Sequence, residues 1–207
     1  MTSLVIATGN QHKVEEYRSI FGQINLSDLS GYPPMSEVDE NAPDFIGNAI
    51  LKARAVYEHT GQVSLADDSG LEVEALNNRP GVRSARYAPG SDADRYLALL
   101  NEMEGVKNRR ARFVCAIAIC GLPRGVGSEL KWVDGCVVAT GFLNGHIGQA
   151  PRGVHGFGYD PIFEINDGRS VAELSASEKH GMSHRGEAAR QVLTVITELF
   201  PSGSYVL

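Results

Sequence analysis

No apolar run in the chain approaches the ~20 residues a membrane-spanning helix needs, and there is no internal repeat, low-complexity tract or linker. The start, Met1-Thr2-Ser3-Leu4-Val5-Ile6-Ala7, has neither the basic residues nor the apolar length of a secretory leader. The expectation is a cytoplasmic protein. Cysteine is scarce: Cys115, Cys120 and Cys136 are an odd count, and the first two lie in an apolar run without a histidine pattern beside them. That argues against zinc and favours buried, reduced thiols over a disulfide. Positive charge is also short, with a formal net charge of -6. A nucleic-acid backbone, which calls for a basic footprint, is therefore not an expected partner, although a small anion in a locally basic pocket is compatible with that balance. The 207 residues suit one large domain over 1–207, or two lobes around one sheet.

The most informative stretch is Ser64-Leu65-Ala66-Asp67-Asp68-Ser69-Gly70-Leu71. Two apolar residues run into two carboxylates, a small hydroxyl and a glycine, after which Leu71-Glu72-Val73-Glu74-Ala75 alternates. The pattern predicts a strand with an acidic tip, a tight turn and a second strand. Neighbouring carboxylates repel, so both stay ionised cheaply only with a cation between them or hydrogen bonds from the turn. A solvated Asp-Ser-Gly turn is the plain alternative.

Other stretches add phosphate and base chemistry. Leu4-Val5-Ile6-Ala7 leads through Thr8-Gly9-Asn10-Gln11-His12-Lys13 into Val14, Tyr17 and Phe21 at helical spacing, stopped by Gly22. This is a strand, a glycine loop and an amphipathic helix, whose N-terminus with Lys13 suits an anion; a plain turn capped by Asn10 is the other reading. It is not a Walker loop, since Val14 follows the lysine. Residues 28–43 read as irregular, with the acidic run Glu37-Val38-Asp39-Glu40. Asp44 then caps a helix with Ile46, Ile50, Ala53 and Tyr57 on one face, closed by Gly61, with Lys52 and Arg54 off that stripe.

Ser91 with Asp94 resembles a capping box, followed by a face of Tyr96, Leu100 and Met103. The unbroken apolar run Phe113–Cys120 reads as a central strand buried on both sides. A turn is expected over 123–128, a strand over 129–140 bent at Asp134-Gly135, and another turn at Asn144-Gly145. Gly153-Val154-His155-Gly156-Phe157-Gly158-Tyr159-Asp160-Pro161 lets a backbone approach a ligand, and its aromatics offer flat faces to a base. Its G-x-x-G-x-G order is not the dinucleotide fingerprint. Near the end, Lys179, His184 and Arg185 crowd the start of a helix capped by Ser183, with Ala189, Val192, Ile196 and Phe200 as its buried stripe.

Several of these pieces together resemble one family. They are Ala7-Thr8-Gly9-Asn10 with Lys13, Phe45 with Asn48-Ala49 and Lys52-Ala53, and Ala66-Asp67-Asp68-Ser69-Gly70-Leu71. Pro80-Gly81-Val82 with Ser84-Ala85-Arg86-Tyr87, Gly156-Phe157-Gly158-Tyr159-Asp160-Pro161 and Ser183-His184-Arg185 complete the set. In this order the chain is similar to the inosine/xanthosine triphosphate pyrophosphatases, the Ham1-like enzymes. The resemblance implies an α/β fold: a long twisted mixed sheet flanked by helices, two lobes with a central cleft, usually a homodimer. It implies magnesium-dependent hydrolysis of non-standard purine nucleoside triphosphates (ITP, dITP, XTP) to monophosphate and pyrophosphate.

By motif, Thr8, Gly9, Asn10 and Lys13 would hold the phosphates. Asp68 would be the general base and, with Glu40, would hold the metal. Ser69 would touch the substrate, and Phe157, Gly158, Tyr159, Asp160, Lys179, His184 and Arg185 would form the base pocket. The chain departs from the family's usual Gly, Thr and Glu at Ala42, Asp44 and Gly47. A nucleotide sensor without turnover, and a phosphatase for another small phosphate ester, are the competing classes; pyrophosphate release from ITP with magnesium tells the first apart, and comparing ITP with a generic phosphate ester the second.

Overall fold

The computed structural model describes residues 3–22, 24–123 and 125–200, with the side chain of His180 outside that description. Met1 and Thr2, part of the leader argument, and Arg124, inside the turn expected over 123–128, lie outside the described residues. In chain order the elements are β1 (Leu4–Ile6), α1 (Gln11–Phe21), β2 (Leu26–Ser27), α2 (Phe45–Thr60), β3 (Ser64–Val73), β4 (Arg79–Pro80) and α3 (Asp92–Glu102). They continue with β5 (Arg110–Cys120), β6 (Lys131–Val133), β7 (Cys136–Ile147), β8 (Phe163–Glu164), α4 (Ala176–Met182) and α5 (His184–Leu199). The strands form an eight-stranded sheet in the order β2-β1-β3-β5-β7-β6, with β4 on β3 and β8 on β7. It is mixed: β1 runs parallel to β2 and β3, while β4, β6 and β8 are antiparallel to their partners. The expected α/β class with a mixed sheet and flanking helices holds.

Two compact units divide the chain. The first comprises 1–68, 115–141 and 185–207. Its core gathers Leu4, Ile6 and Leu65 with Ile117, Ile119 and Val137, packed with Tyr17 and Phe21 of α1 and with Ala188, Val192 and Ile196 of α5. Val14, Tyr17 and Phe21 are buried as their spacing predicts, and Gly22 (φ +63) ends α1 by donating its N–H to the Arg18 carbonyl. Asp44 caps α2 and Gly61 closes it, as expected. The buried stripe of α2 is turned by about a residue from the expected one: Phe45, Ala49, Ile50, Ala53 and Val56 are inside, while Tyr57 is exposed. The second unit comprises 69–114 and 142–184. Its core joins Leu71 and Val73 to Leu99, Met103, Phe113, Ile147, Ile162 and Phe163. The Ser91–Asp94 capping box starts α3, both of its reciprocal bonds being present.

Four expectations are corrected. No turn follows the twin aspartates: β3 runs unbroken through Ser69 and Gly70 to Val73. Leu65, Ala66, Leu71 and Val73 are wholly buried and β3 has a neighbour on each side, so extended pairing outweighs the local Ser-Gly turn signal. Asn144-Gly145 lies inside β7. A Cβ at Gly145 would stand 2.3 Å from the Glu164 carbonyl oxygen, so glycine serves the close approach of β8 and not a turn. The bend at Asp134-Gly135 is a two-residue hairpin between β6 and β7, both residues having the positive φ (47° and 77°) that a tight hairpin turn demands.

The fourth correction concerns the thiols: Cys120 and Cys136 form a disulfide, with Cα atoms 4.5 Å apart. The sheet order sets the end of β5 beside the start of β7, a neighbourhood that linear spacing does not reveal. Cys115 is buried and stands outside that disulfide.

Candidate active site

Adjacent residues of a strand project to opposite faces, and β3 uses this to separate its two carboxylates. Asp67, 2% exposed, meets Lys13 Nζ at 2.9 Å and Arg185 Nη2 at 3.2 Å, with the Cys115 thiol at 3.9 Å. Asp68 meets Lys52 Nζ at 3.2 Å and accepts from Asn48 Nδ2 at 3.1 Å. Each carboxylate thus has a cation at ion-pairing distance, Lys13 and Arg185 for Asp67 and Lys52 for Asp68, while the pleat turns the two groups to opposite faces.

The electrostatics follow. Burial alone would push the Asp67 carboxyl up; Lys13, Arg185 and Lys52 outweigh it and hold the group far below the usual carboxylate range. Asp68 goes the other way: burial raises it, and Lys52 and Asn48 offset only part of that. Burial tends to lower Lys52, but Asp68, Asp67 and Glu40 leave it raised and charged. Of the twin aspartates, the one suited to accept a proton is Asp68.

The loop after β1 is organised by two side chains. Thr8 Oγ1 accepts from the Asn10 N–H at 3.1 Å, and Asn10 Oδ1 accepts from the N–H groups of His12 (3.0 Å) and Lys13 (3.4 Å), capping α1. Gly9 is exposed, its φ is not in the left-handed region, and a Cβ there would meet nothing within 4 Å. The protein itself therefore gives no reason for glycine at position 9; a ligand seated on the loop would.

Lys52 reaches further, with Nζ 2.9 Å from Glu40 Oε2, so that one ammonium bridges Glu40 and Asp68. These two carboxylates are close enough to share a cation. No group of three or more His, Cys, Asp or Glu arranged for a metal occurs among the described residues. Two carboxylates fit magnesium, which takes one or two from the protein and completes its shell with water and phosphate oxygens. Asn48 ties this arrangement to the preceding loop, since its Oδ1 accepts from the Ala42 N–H at 3.0 Å while its Nδ2 serves Asp68. The departures at Ala42 and Gly47 are coupled. The Ala42 Cβ lies 2.6 Å from where a Cβ on residue 47 would sit, so a methyl at 42 requires glycine at 47. Asp44 still supplies the cap, accepting from the Gly47 N–H at 2.7 Å.

The second unit holds the remaining candidates. Asp160, 4% exposed, accepts from the Phe157 N–H (2.9 Å) and from Lys179 Nζ (2.8 Å), and that ammonium stands 4.6 Å from the centre of the Phe157 ring. Gly158 donates its N–H to Asp92 at 2.6 Å. Tyr159 is packed in the core with its phenol donating to the Ser84 carbonyl at 2.9 Å, so its ring gives no open face to a base. His184 stacks on Phe113 at 5.0 Å between centroids. Ser69 is half-buried on β3, next in chain to Asp68. Arg185, by contrast, belongs to the first unit and is 1% exposed, paired with Glu16 as well as Asp67.

Lys179, expected at the start of the helix capped by Ser183, lies instead in the short helix α4 that precedes it, which Ser175 caps. Glu178 builds that helix: its carboxylate accepts from the Ser175 N–H (2.9 Å) and hydroxyl (2.7 Å) and from Arg169 (2.9 Å), which holds its pKa at about 2. A depressed carboxyl stabilises fully above its unfolded value of about 4.3 and loses that contribution as pH falls towards its folded value. The gap in melting temperature between wild type and Glu178→Gln is expected to be widest above pH 4.5 and to shrink towards pH 2; calorimetry across that range checks it.

The sequence set Asn48 and Lys52 among the pieces that carry the resemblance but gave neither a place beside Asp68. The signal was present: they are four apart, hence on one face of α2, and Lys52 lies off the apolar stripe. Glu16, buried inside an otherwise amphipathic helix, carried no such signal.

The mixed α/β sheet thus sets twin aspartates, each paired with a lysine, beside a capped glycine loop. The sequence profile of the Ham1 family matches residues 4–195. The chain is 44% identical over 202 residues to the dITP/XTP pyrophosphatase of Symbiobacterium thermophilum, covering 97% of this chain and 98% of that protein. It is 41% identical over 208 residues to the protein of the same name from Bacillus licheniformis, covering 96% and 100%. The solved Staphylococcus aureus Ham1 protein superposes with a TM-score of 0.82 at 35% identity, covering 96% of this chain and 100% of that one. The chain belongs to the Ham1 family.

Proposed function

We propose that this protein is a nucleoside triphosphate pyrophosphatase that takes non-standard purine substrates (ITP, dITP and XTP) and releases the monophosphate and pyrophosphate with magnesium. The observation that carries this reading is the Lys52 ammonium bridging Asp68 and Glu40, one strand residue away from the Lys13–Asp67 pair. The names of the relatives support it. Thr8, Gly9, Asn10 and Lys13 receive the phosphates. Asp68 takes a proton from the attacking water, a role suited to a carboxyl whose pKa burial has raised. Lys13 and Lys52 hold negative charge that builds on the departing pyrophosphate. Magnesium on Asp68 and Glu40 would add charge neutralisation on the phosphate oxygens. Two copies associate in this reading, as light scattering would register.

Base selection is assigned to Phe157, Asp160 and Lys179. Lys179 donates only, and it is held by Asp160. An ammonium there matches an oxygen at purine position 6 and mismatches the adenine amino group, an unmet buried group costing on the order of 1–3 kcal/mol. With magnesium, ITP and XTP are expected to be hydrolysed at least about tenfold more efficiently than ATP, a ratio corresponding to about 1.4 kcal/mol. A steady-state panel of nucleotides, repeated with chelator, tests the proposal; equal rates on all purines, or full activity in chelator, would sink it.

Gly9→Ala gives an independent check. The added methyl meets no protein atom, so the melting temperature stays put, whereas crowding of the phosphates should raise KM by about tenfold. A variant with unaltered KM would remove the loop from the site.

A further inference from the structure

We propose a second anion site, distinct from the residues assigned above: a polar groove of about 960 Å³ in the second unit that binds a linear polyphosphate. Its walls include Lys107, Arg109 and Arg110 from the approach to β5 and its first residue, with Asn144 of β7, Asn166 and Glu74. Three cations against one carboxylate leave an excess of two positive charges in a chain whose net charge is -6.

The cations are not used up internally. The side chains of Lys107 and Arg110 are exposed and make no ion pair or hydrogen bond among the described residues. Arg109 is half-buried and its plane is locked by three backbone carbonyls, those of Met103 (2.9 Å), Ile147 (2.6 Å) and Gly148 (2.6 Å). It has no carboxylate within ion-pairing distance among the described residues. A guanidinium has five N–H donors, so Arg109 retains two in a fixed orientation, and the carboxylate that acts on its charge, Glu164, does so from beyond ion-pairing distance. The groove's other ionisable groups are quiet: Glu74 accepts from Asn108 at 3.2 Å, and His146 is held by Glu164 at 2.9 Å. Asn144 and Asn166 keep their amide donors available among the described residues.

The chemistry selects the ligand. A locked guanidinium, two exposed cations and amide donors suit several phosphoryl oxygens at once. The volume is that of a small-molecule pocket, and the acidic chain outside it repels an extended nucleic-acid backbone. A nucleotide's polyphosphate tail and inorganic polyphosphate share this chemistry.

The test uses the full-length protein in chelator, so that no turnover runs, with inorganic tripolyphosphate titrated by calorimetry. Tripolyphosphate affinity at one site should fall at least tenfold in the variant Lys107→Ala/Arg110→Ala, with an unchanged melting temperature and unchanged ITP turnover. It should survive in Lys107→Arg/Arg110→Lys, and in Lys13→Ala, whose loss is confined to the other site. A parallel titration with a nucleoside diphosphate tells a nucleotide tail from the free anion, since only the former gains from its nucleoside. If the alanine pair binds tripolyphosphate with wild-type stoichiometry and affinity, or if a single-stranded oligonucleotide binds the groove and tripolyphosphate does not, the proposal is overturned. The groove result stands apart from the ITP assay: absent ITP turnover with this site intact defeats the catalytic reading alone.

Discussion

Asp68→Asn is expected to lower ITP turnover at least about a thousandfold while the protein stays folded. A positioned general base contributes roughly 10²–10⁴, and the same change weakens the carboxylate pair offered to magnesium. The fold should not suffer. Asparagine preserves shape, Lys52 keeps Glu40 at 2.9 Å, and Asn48 stays anchored to Ala42. The sign of the stability effect follows from the raised pKa of Asp68, which burial causes first and Lys52 and Asn48 only partly offset. A carboxyl with a folded pKa above its unfolded one is, at neutral pH, a charge the folded state would rather not hold. Replacing it by a neutral amide should leave the melting temperature equal or slightly higher, the trade of stability for activity common at working sites. Pyrophosphate release and calorimetry on one preparation read both sides. Turnover near that of wild type would remove Asp68 as base; a large drop in melting temperature would make it structural.

How much of this could be read without coordinates depends on what decides each feature. Helix ends were legible because their causes are local: Asn10, Asp44 and Ser91 cap, and Gly22 and Gly61 stop. The central strand of Phe113–Cys120 was legible because burial on both faces leaves an unbroken apolar run. What failed depended on strand neighbours. The Ser69-Gly70 and Asn144-Gly145 pairs carry turn chemistry, but at both places the chain is extended because another strand lies alongside. The Cys120–Cys136 disulfide is the same lesson, a contact created by sheet order.

The candidate site divides similarly. The motifs named Lys13, Asp68 and Glu40, and the structure brings Asp68 and Glu40 onto one ammonium. Motifs could not separate the twin aspartates, because that separation lies in the pleat. Nor could they say that Arg185 faces Glu16 across 169 residues of chain; only the packing of α1 with α5 does that.

That buried pairing carries the second large effect. Arg185→Met is expected to destabilise the protein by about 3–5 kcal/mol, the usual result of removing one member of a buried ionic group. Arg185 serves both Glu16 and Asp67 with a side chain 2% exposed, and those carboxylates are 9% and 1% exposed. Without the guanidinium, Glu16 and Asp67 each lose a charged partner inside the core, Asp67 keeping Lys13. Adding Glu16→Gln should therefore recover a good part of the loss, a coupling that equilibrium unfolding in urea would register as non-additivity. Tyr17 provides the contrast. It lies in the same core, burial holds its pKa well above the ordinary phenol value, and its hydroxyl has no hydrogen-bond partner among the described residues. Deleting an unmatched buried hydroxyl removes a cost and leaves none behind, so Tyr17→Phe should change stability by less than about 1 kcal/mol. If Arg185→Met proved as mild as Tyr17→Phe, the cluster would be a packed polar patch whose charges contribute little, and Lys13 and Lys52 would outrank Arg185 in keeping Asp67 ionised.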